Sequence, residues 1–168
     1  MKIVSALTMA AILFAPNANA ASAHVHGAAK LDISVEGDRL TIAMEIPLDS
    51  TVGFERPART DKEKLAYANM IAALKNAAET FVPTAGAACR VESVEIHDPF
   101  PAGKAKADGH ADVDAEYVFH CATPAALKGV ETTLFKQFKR LRKVDVQRAT
   151  PGAQGKASMT PETPRVSW

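Results

Sequence analysis

Two stretches near the start of the chain alternate between apolar and polar residues and predict a β-hairpin. Apolar residues occupy every second position of both stretches: Leu31, Ile33 and Val35, then Leu40, Ile42, Met44 and Ile46. A period of two places these side chains on one face of each strand. Gly37 and Asp38 between the stretches favour a turn. We therefore expect a hairpin with one buried face.

A helical periodicity follows the hairpin. Thr60 and Glu63 have the spacing of a capping box, which predicts the start of a helix. Apolar residues then recur on one helical face: Tyr67, Met70, Ile71, Leu74, Ala78 and Phe81. The helix is expected to end before Pro83. Such a helix can bind membranes, but its ordinary role is to cover a sheet.

The second half of the chain predicts further strands. They cover residues 89–96, 112–121, 130–138 and 144–150, with an edge strand over 152–159. In the strand that ends at Cys121, one set of alternate residues is expected to face the core: Val113, Ala115, Tyr117, Phe119 and Cys121. The whole pattern predicts an α+β domain. In it, an antiparallel sheet of about five to seven strands packs against one long helix.

Residues 1–20 have the features of a secretory signal peptide. Lys2 gives a basic start, an apolar run follows, and small-x-small motifs end at Ala20 and Ala23. The run is too short to cross a membrane as a stable helix. We expect an exported, soluble protein, cleaved after either alanine. The rest forms a single domain over residues 21–160, followed by a frayed tail over residues 161–168.

The interpretation of the two cysteines depends on the expected export of the protein. Cys89 and Cys121 are the chain's only cysteines. In an oxidising compartment such a pair usually forms a disulfide, which here would close the predicted hairpin and stabilise the fold by about 3–4 kcal/mol. A Cys/His metal site is the alternative. It is less favoured because exported thiols are oxidised and no Cys-x-x-Cys motif is present.

Charge and motifs exclude several classes of function. The chain has 20 Lys and Arg against 19 Asp and Glu, and removal of residues 1–20 takes Lys2 with them and balances the two. Binding to nucleic acid or to an anionic membrane needs a basic excess that is absent here. The sequence also lacks nucleophile-elbow, zinc-protease, phosphate-loop and dinucleotide motifs. We expect no catalytic residues and no enzymatic activity.

The first histidines of the exported chain form a possible chelating pair. His24 and His26 are two residues apart, so on a strand both imidazoles would project to the same side. Cleavage after Ala23 would place the α-amine beside the first imidazole as another ligand. A disordered terminus is the alternative interpretation.

A second set of possible ligands lies around the loop between the cysteine-bearing strands: His97, Asp98, His110 and Asp112. Imidazoles and carboxylates suit Zn²⁺. His120 lies ten residues beyond His110, about 33 Å away in an extended strand, so these two cannot share an ion. A solvated polar face with an ordinary loop is the alternative interpretation.

Several segments of the chain carry a resemblance to a known family. They are HVHGAAKLDISVEG, VGFERPART, AEYVFHCATPAAL, LFKQF and VDVQRATPGAQGKASMTP, in that order. The series resembles the ZrgA-like family of bacterial periplasmic proteins, which is associated with zinc acquisition. The resemblance covers residues 24–160.

The resemblance implies a periplasmic location and a metal site. His24 and His26 match the family's His-x-His-Gly motif, and His97 and His110 fall in its histidine loop. Here that loop is poor in histidine and carries lysines. Two hypotheses follow: a periplasmic accessory protein that buffers or relays zinc to an uptake transporter or its binding protein, or a non-catalytic envelope adaptor that binds no metal. The same ligands would also accept copper or nickel.

Overall fold

The computed structural model describes residues 25–100 and 111–168. The signal peptide, its cleavage sites, His24 and His110 lie outside this part of the chain. The described residues contain these strands: β1 (Ala28–Glu36), β2 (Arg39–Pro47), β3 (Phe81–Pro83), β4 (Cys89–His97), β5 (Asp112–Cys121), β6 (Gly129–Thr132), β7 (Lys143–Thr150), β8 (Ala153–Met159) and β9 (Arg165–Ser167). They also contain four α-helices: α1 (Leu48–Thr51), α2 (Asp61–Lys75), α3 (Ala77–Thr80) and α4 (Leu134–Gln137).

The larger sheet has six strands in the order β4-β5-β2-β1-β7-β8. The β1–β2 hairpin is confirmed, with Leu31 opposite Met44. The prediction of an antiparallel sheet of about five to seven strands is confirmed for the strand number and for four of the five strand pairs, but β1 and β7 pair in parallel. The chain reaches β7 by a long crossover rather than by a turn, which is what a parallel pair requires.

A second, smaller sheet has the order β3-β6-β9. It packs against the larger one through Phe81, whose ring meets Tyr117 edge-on with centroids 4.9 Å apart. Both side chains are fully buried. The core-facing residues predicted for β1, β2 and β5 are likewise buried in the structure. Hydrophobic alternation therefore identified the core face of the larger sheet correctly.

The prediction of one long helix is wrong. α2 covers 15 residues and begins at the expected capping box of Thr60 and Glu63, while α1, α3 and α4 have four residues each. Asn76 leaves the helical conformation at φ −86° and ψ 71°, and one further turn leads into β3. Phe81 faces the same core from β3, but the predicted core position Ala78 is exposed and its neighbour Ala77 is buried instead.

Two later segments also differ from the predictions. The strand expected over residues 130–138 is only the short β6, and α4 follows it with Leu134 and Phe135 buried. The tail expected to be frayed contains β9, which pairs with β6 and buries Val166. Alternating and helical apolar positions are hard to distinguish over so few residues.

The disulfide predicted between Cys89 and Cys121 is confirmed. The two residues are directly opposite each other at the end of the β4–β5 ladder. The sulfur of Cys121 belongs to the core, since this residue is 1% exposed. The bond therefore ties the edge strand β4 to its neighbour β5, whose cysteine is part of the core.

Candidate metal centre

His26 lies two residues before β1, and the intervening Gly27 is fixed by three hydrogen bonds. The Gly27 N–H donates to Ser50 Oγ at 2.9 Å. The Gly27 carbonyl accepts from the N–H groups of Arg142 and Lys143, at 2.7 and 3.1 Å. Gly27 has φ +79°, a conformation that favours glycine. The backbone beside His26 is therefore held at the end of the larger sheet.

Two carboxylates flank the His26 ring. Its Nε2 lies 3.4 Å from Glu55 Oε1, and its Nδ1 lies 3.8 Å from Asp49 Oδ2. The side chain of His26 is 66% exposed and that of Glu55 is 34% exposed. Each ring nitrogen thus faces one acidic side chain, and the outer side of the ring is open to solvent.

Asp49 is also bound by Arg140, from the turn between α4 and β7. Arg140 Nη2 donates to both Asp49 carboxylate oxygens, at 2.9 and 3.1 Å. Arg140 Nε donates to the Asp49 carbonyl at 2.7 Å. Gly53 packs against this guanidinium with φ +86°, and a Cβ at that position would lie 3.3 Å from Arg140 Nε. Arg140 therefore joins α1 and the segment after it to the start of β7.

The segment that carries Glu55 is held to the start of α2. Arg56 donates two hydrogen bonds to the Glu63 carboxylate, at 2.6 and 3.0 Å, and its guanidinium lies 5.1 Å from the centre of the Phe54 ring. Hydrogen bonds from Arg56, and to a smaller extent from the N–H groups of Arg59 and Thr60, lower the pKa of Glu63 to about 2. The residues on both sides of Glu55 are therefore fixed.

The group around His26 has the donors that zinc prefers. A neutral imidazole nitrogen and carboxylate oxygens are common zinc ligands. Among the described residues, no three His, Cys, Asp or Glu side chains are grouped as a complete metal site. His24, two residues earlier in the chain, lies outside the described part. The described residues thus provide one histidine with carboxylates on both sides, rather than a complete set of zinc ligands.

The predicted ligands His97 and Asp98 point to different environments. His97 is exposed at the end of β4, opposite Asp114. The Asp98 carboxylate accepts hydrogen bonds from the Tyr67 hydroxyl and from the Phe100 N–H. This carboxylate therefore connects the loop to α2.

Asp112 begins β5 and lies opposite Pro47, on the polar side of the sheet. On this open face, Glu95 and Glu116 are directly opposite each other. The strands β4 and β1 are three positions apart in the sheet, or about 14 Å. The structure therefore does not bring His97 and His26 to a common ion.

Sequence reasoning missed Asp49, Glu55 and Arg140 as neighbours of His26. Glu55 lies within the VGFERPART segment that supported the family resemblance, which is the only signal that pointed to this region. Nothing in local periodicity indicates that a turn between α4 and β7 would meet the start of β1.

Comparison with known families connects these observations. The family model described as "ZrgA family zinc uptake protein" matches residues 23–168. The chain belongs to the ZrgA family. The resemblance inferred from the sequence is confirmed, and the family description relates the protein to zinc uptake. No curated protein matches the chain. Within the described residues, no helix has the length and apolar character needed to cross a membrane.

Proposed function

We propose that this ZrgA family protein is an exported, periplasmic accessory protein that binds zinc and buffers it or relays it to an uptake system. Three observations support the proposal: the zinc uptake family, the signal-peptide features of residues 1–20, and the position of His26 between two carboxylates. The last carries the most weight, because it places zinc-type donors on a part of the fold that hydrogen bonds hold in place.

The openness of the site suits a buffer or relay. A structural zinc site is closed by four protein ligands, whereas a carrier must release its cargo. His26 is 66% exposed, so an acceptor protein can approach the metal from solvent. The acceptor in this proposal is a zinc transporter or the binding protein that serves it.

Calorimetry with Zn²⁺ on the mature protein tests metal binding. We expect a dissociation constant tighter than about 100 µM, since weaker binding could not compete for scarce metal. His26→Ala should weaken it strongly. His120→Ala is a matched control, because His120 lies at the opposite end of the sheet with its Nε2 3.0 Å from Asp38 Oδ2. Absence of binding by the unmodified protein would favour the envelope adaptor that binds no metal.

Growth during zinc starvation tests the uptake role. In a strain that lacks this protein, the unmodified chain should restore growth in zinc-poor medium and His26→Ala should not. His120→Ala should restore growth. If the protein is instead an adaptor that binds no metal, growth should be equal with all three proteins.

A further inference from the structure

We propose that His26 Nε2 and the Glu55 carboxylate bind one zinc ion together, and that Asp49, held by Arg140, is a positioning residue for the His26 ring. This inference rests on the proposed zinc-binding function. It adds a ligand that lies outside the His-x-His-Gly motif and assigns a role to a basic residue from the other half of the chain.

The first argument is the spacing of the two donor atoms. In a tetrahedral zinc site, ligands bound at about 2.0–2.1 Å lie about 3.3 Å from each other. His26 Nε2 and Glu55 Oε1 are 3.4 Å apart. A zinc ion can therefore contact both atoms with little movement of either side chain. Water can fill the remaining coordination positions.

The second argument is that the Glu55 backbone is fixed on both sides. Gly53 packs against the Arg140 guanidinium, and Arg56 forms a two-point ion pair with Glu63 at the start of α2. A ligand on a fixed segment loses less conformational freedom when the metal binds. Glu55 thus differs from a glutamate on a free surface loop.

The third argument concerns the far side of the His26 ring. A carboxylate near one imidazole nitrogen keeps the proton there and leaves the lone pair of the other nitrogen for the metal. Asp49 Oδ2 lies 3.8 Å from Nδ1, which is longer than a direct hydrogen bond, so the carboxylate acts as a nearby charge or through a water. Without metal, the nearer Glu55 carboxylate competes for a proton on Nε2. Once zinc occupies Nε2, the proton must lie on Nδ1, where the Asp49 carboxylate supports it.

Arg140 determines where the Asp49 carboxylate points. It binds both carboxylate oxygens and the Asp49 carbonyl, so the side chain cannot turn towards the metal without losing these bonds. With neutral imidazole, the charges of Glu55, Asp49 and Arg140 leave the group with one net negative charge. The arginine therefore orients the carboxylate, and the group still attracts a cation.

The test compares zinc affinities of Glu55→Gln, Asp49→Asn, Arg140→Lys and unmodified protein by calorimetry. Glu55→Gln removes a ligand and should weaken binding by at least about tenfold; loss of the supporting carboxylate in Asp49→Asn should weaken it by about 10- to 100-fold. Glu36→Gln, at the far end of β1, is the control and should bind as the unmodified protein does. Arg140→Lys keeps the charge but loses the two-point contact, so its effect should fall between those of Asp49→Asn and the control.

A second measurement separates positioning from stability. Two-dimensional ¹⁵N NMR of the metal-free protein reports which His26 nitrogen carries the proton, and Asp49→Asn should lower the fraction with the proton on Nδ1. Glu55→Gln should not lower it. An unchanged fraction in a folded Asp49→Asn protein would overturn the positioning role.

The outcomes distinguish this inference from the proposed function. If the unmodified protein binds no zinc, the proposed function fails. If it binds zinc and Glu55→Gln binds equally well, the function stands and Glu55 is only an ion-pair partner of His26. The absorption spectrum of the Co²⁺-substituted protein gives an independent readout, because removal of a ligand should change the intensity and position of its visible bands.

Discussion

The hydroxyl of Tyr67 on α2 donates a hydrogen bond to the carboxylate of Asp98 at the end of β4. Desolvation by burial, together with this carboxylate, raises the pKa of Tyr67 above its usual range. The same carboxylate oxygen accepts from the Phe100 N–H at 2.7 Å. A side chain that the sequence suggests as a metal ligand therefore connects the loop to the helix.

Replacing tyrosine by phenylalanine should have different effects on stability at Tyr67 and at Tyr117. Tyr67→Phe should destabilise the protein by about 1 kcal/mol, because it removes a hydrogen bond to a carboxylate at a partly exposed site. The Tyr117 hydroxyl is buried without a hydrogen-bond partner among the described residues. Tyr117→Phe should therefore leave stability unchanged or raise it by up to about 1 kcal/mol. Urea denaturation of both variants measures the difference, and equal losses would contradict this assignment.

The disulfide should make a large contribution to stability. Cys89 and Cys121 are 32 residues apart in sequence, and closing a loop of that size stabilises a fold by about 3–4 kcal/mol. The double substitution to alanine should lower the free energy of unfolding by about that amount, as measured by thermal and urea denaturation. Reductant should lower the stability of the unmodified protein and leave the double variant unchanged. A loss below about 1 kcal/mol would show that the bond constrains the unfolded chain little.

Stability in acid should depend on Glu63. The pKa of Glu63 is lowered from 4.5 to about 2, chiefly by the hydrogen bonds from Arg56. A lowered pKa means that the ionised carboxylate stabilises the folded state above pH 4.5, and that this contribution is lost as the pH falls towards 2. Glu63→Gln should reduce stability at neutral pH and flatten its dependence on pH over this range. Glu36→Gln is the control, and an equal flattening in it would contradict the assignment.

A comparison of Gly53 with Gly37 separates the effect of the Arg140 contact on stability from the effect of backbone strain. Both have positive φ, +86° and +62°, but a Cβ at Gly37 would meet no atom within 4 Å, whereas one at Gly53 would meet Arg140. Gly37→Ala should cost about 1–2 kcal/mol from conformation alone. Gly53→Ala should cost more, because the guanidinium must also move. Thermal denaturation of both variants tests this, and equal losses would show that Arg140 adjusts freely.

Local sequence patterns predicted which face of a helix or strand is buried better than they predicted where the helix or strand ends. Leu31 and Tyr117 were placed in the core correctly because alternation depends only on neighbours in the chain. The end of α2 was missed because Asn76 is tolerated within helices, and only its observed conformation shows the break. The apolar residues after it, such as Phe81, keep facing the core in a different element.

The candidate centre could be predicted only in part. His26 was identified from its spacing to His24 and from the family resemblance. Its carboxylate neighbours were missed because the contact depends on how Asp49 and Glu55 follow β2, and on the parallel pairing that brings Arg140 to the same end of the sheet. Such contacts join residues distant in sequence, and a single sequence contains no direct signal of them.

The parallel pairing of β1 with β7 has a consequence for folding. Asp32 and Gln147 are hydrogen-bonded across this pair although they are 115 residues apart. Contacts of such high sequence separation slow folding, because a long loop must close before they form. The hydrogen bonds that hold Gly27 come from Arg142 and Lys143, at the start of β7. The surroundings of His26 are therefore completed only after nearly the whole chain has been synthesised, and a protein shortened before residue 140 would retain the histidine but lose the environment that orients it.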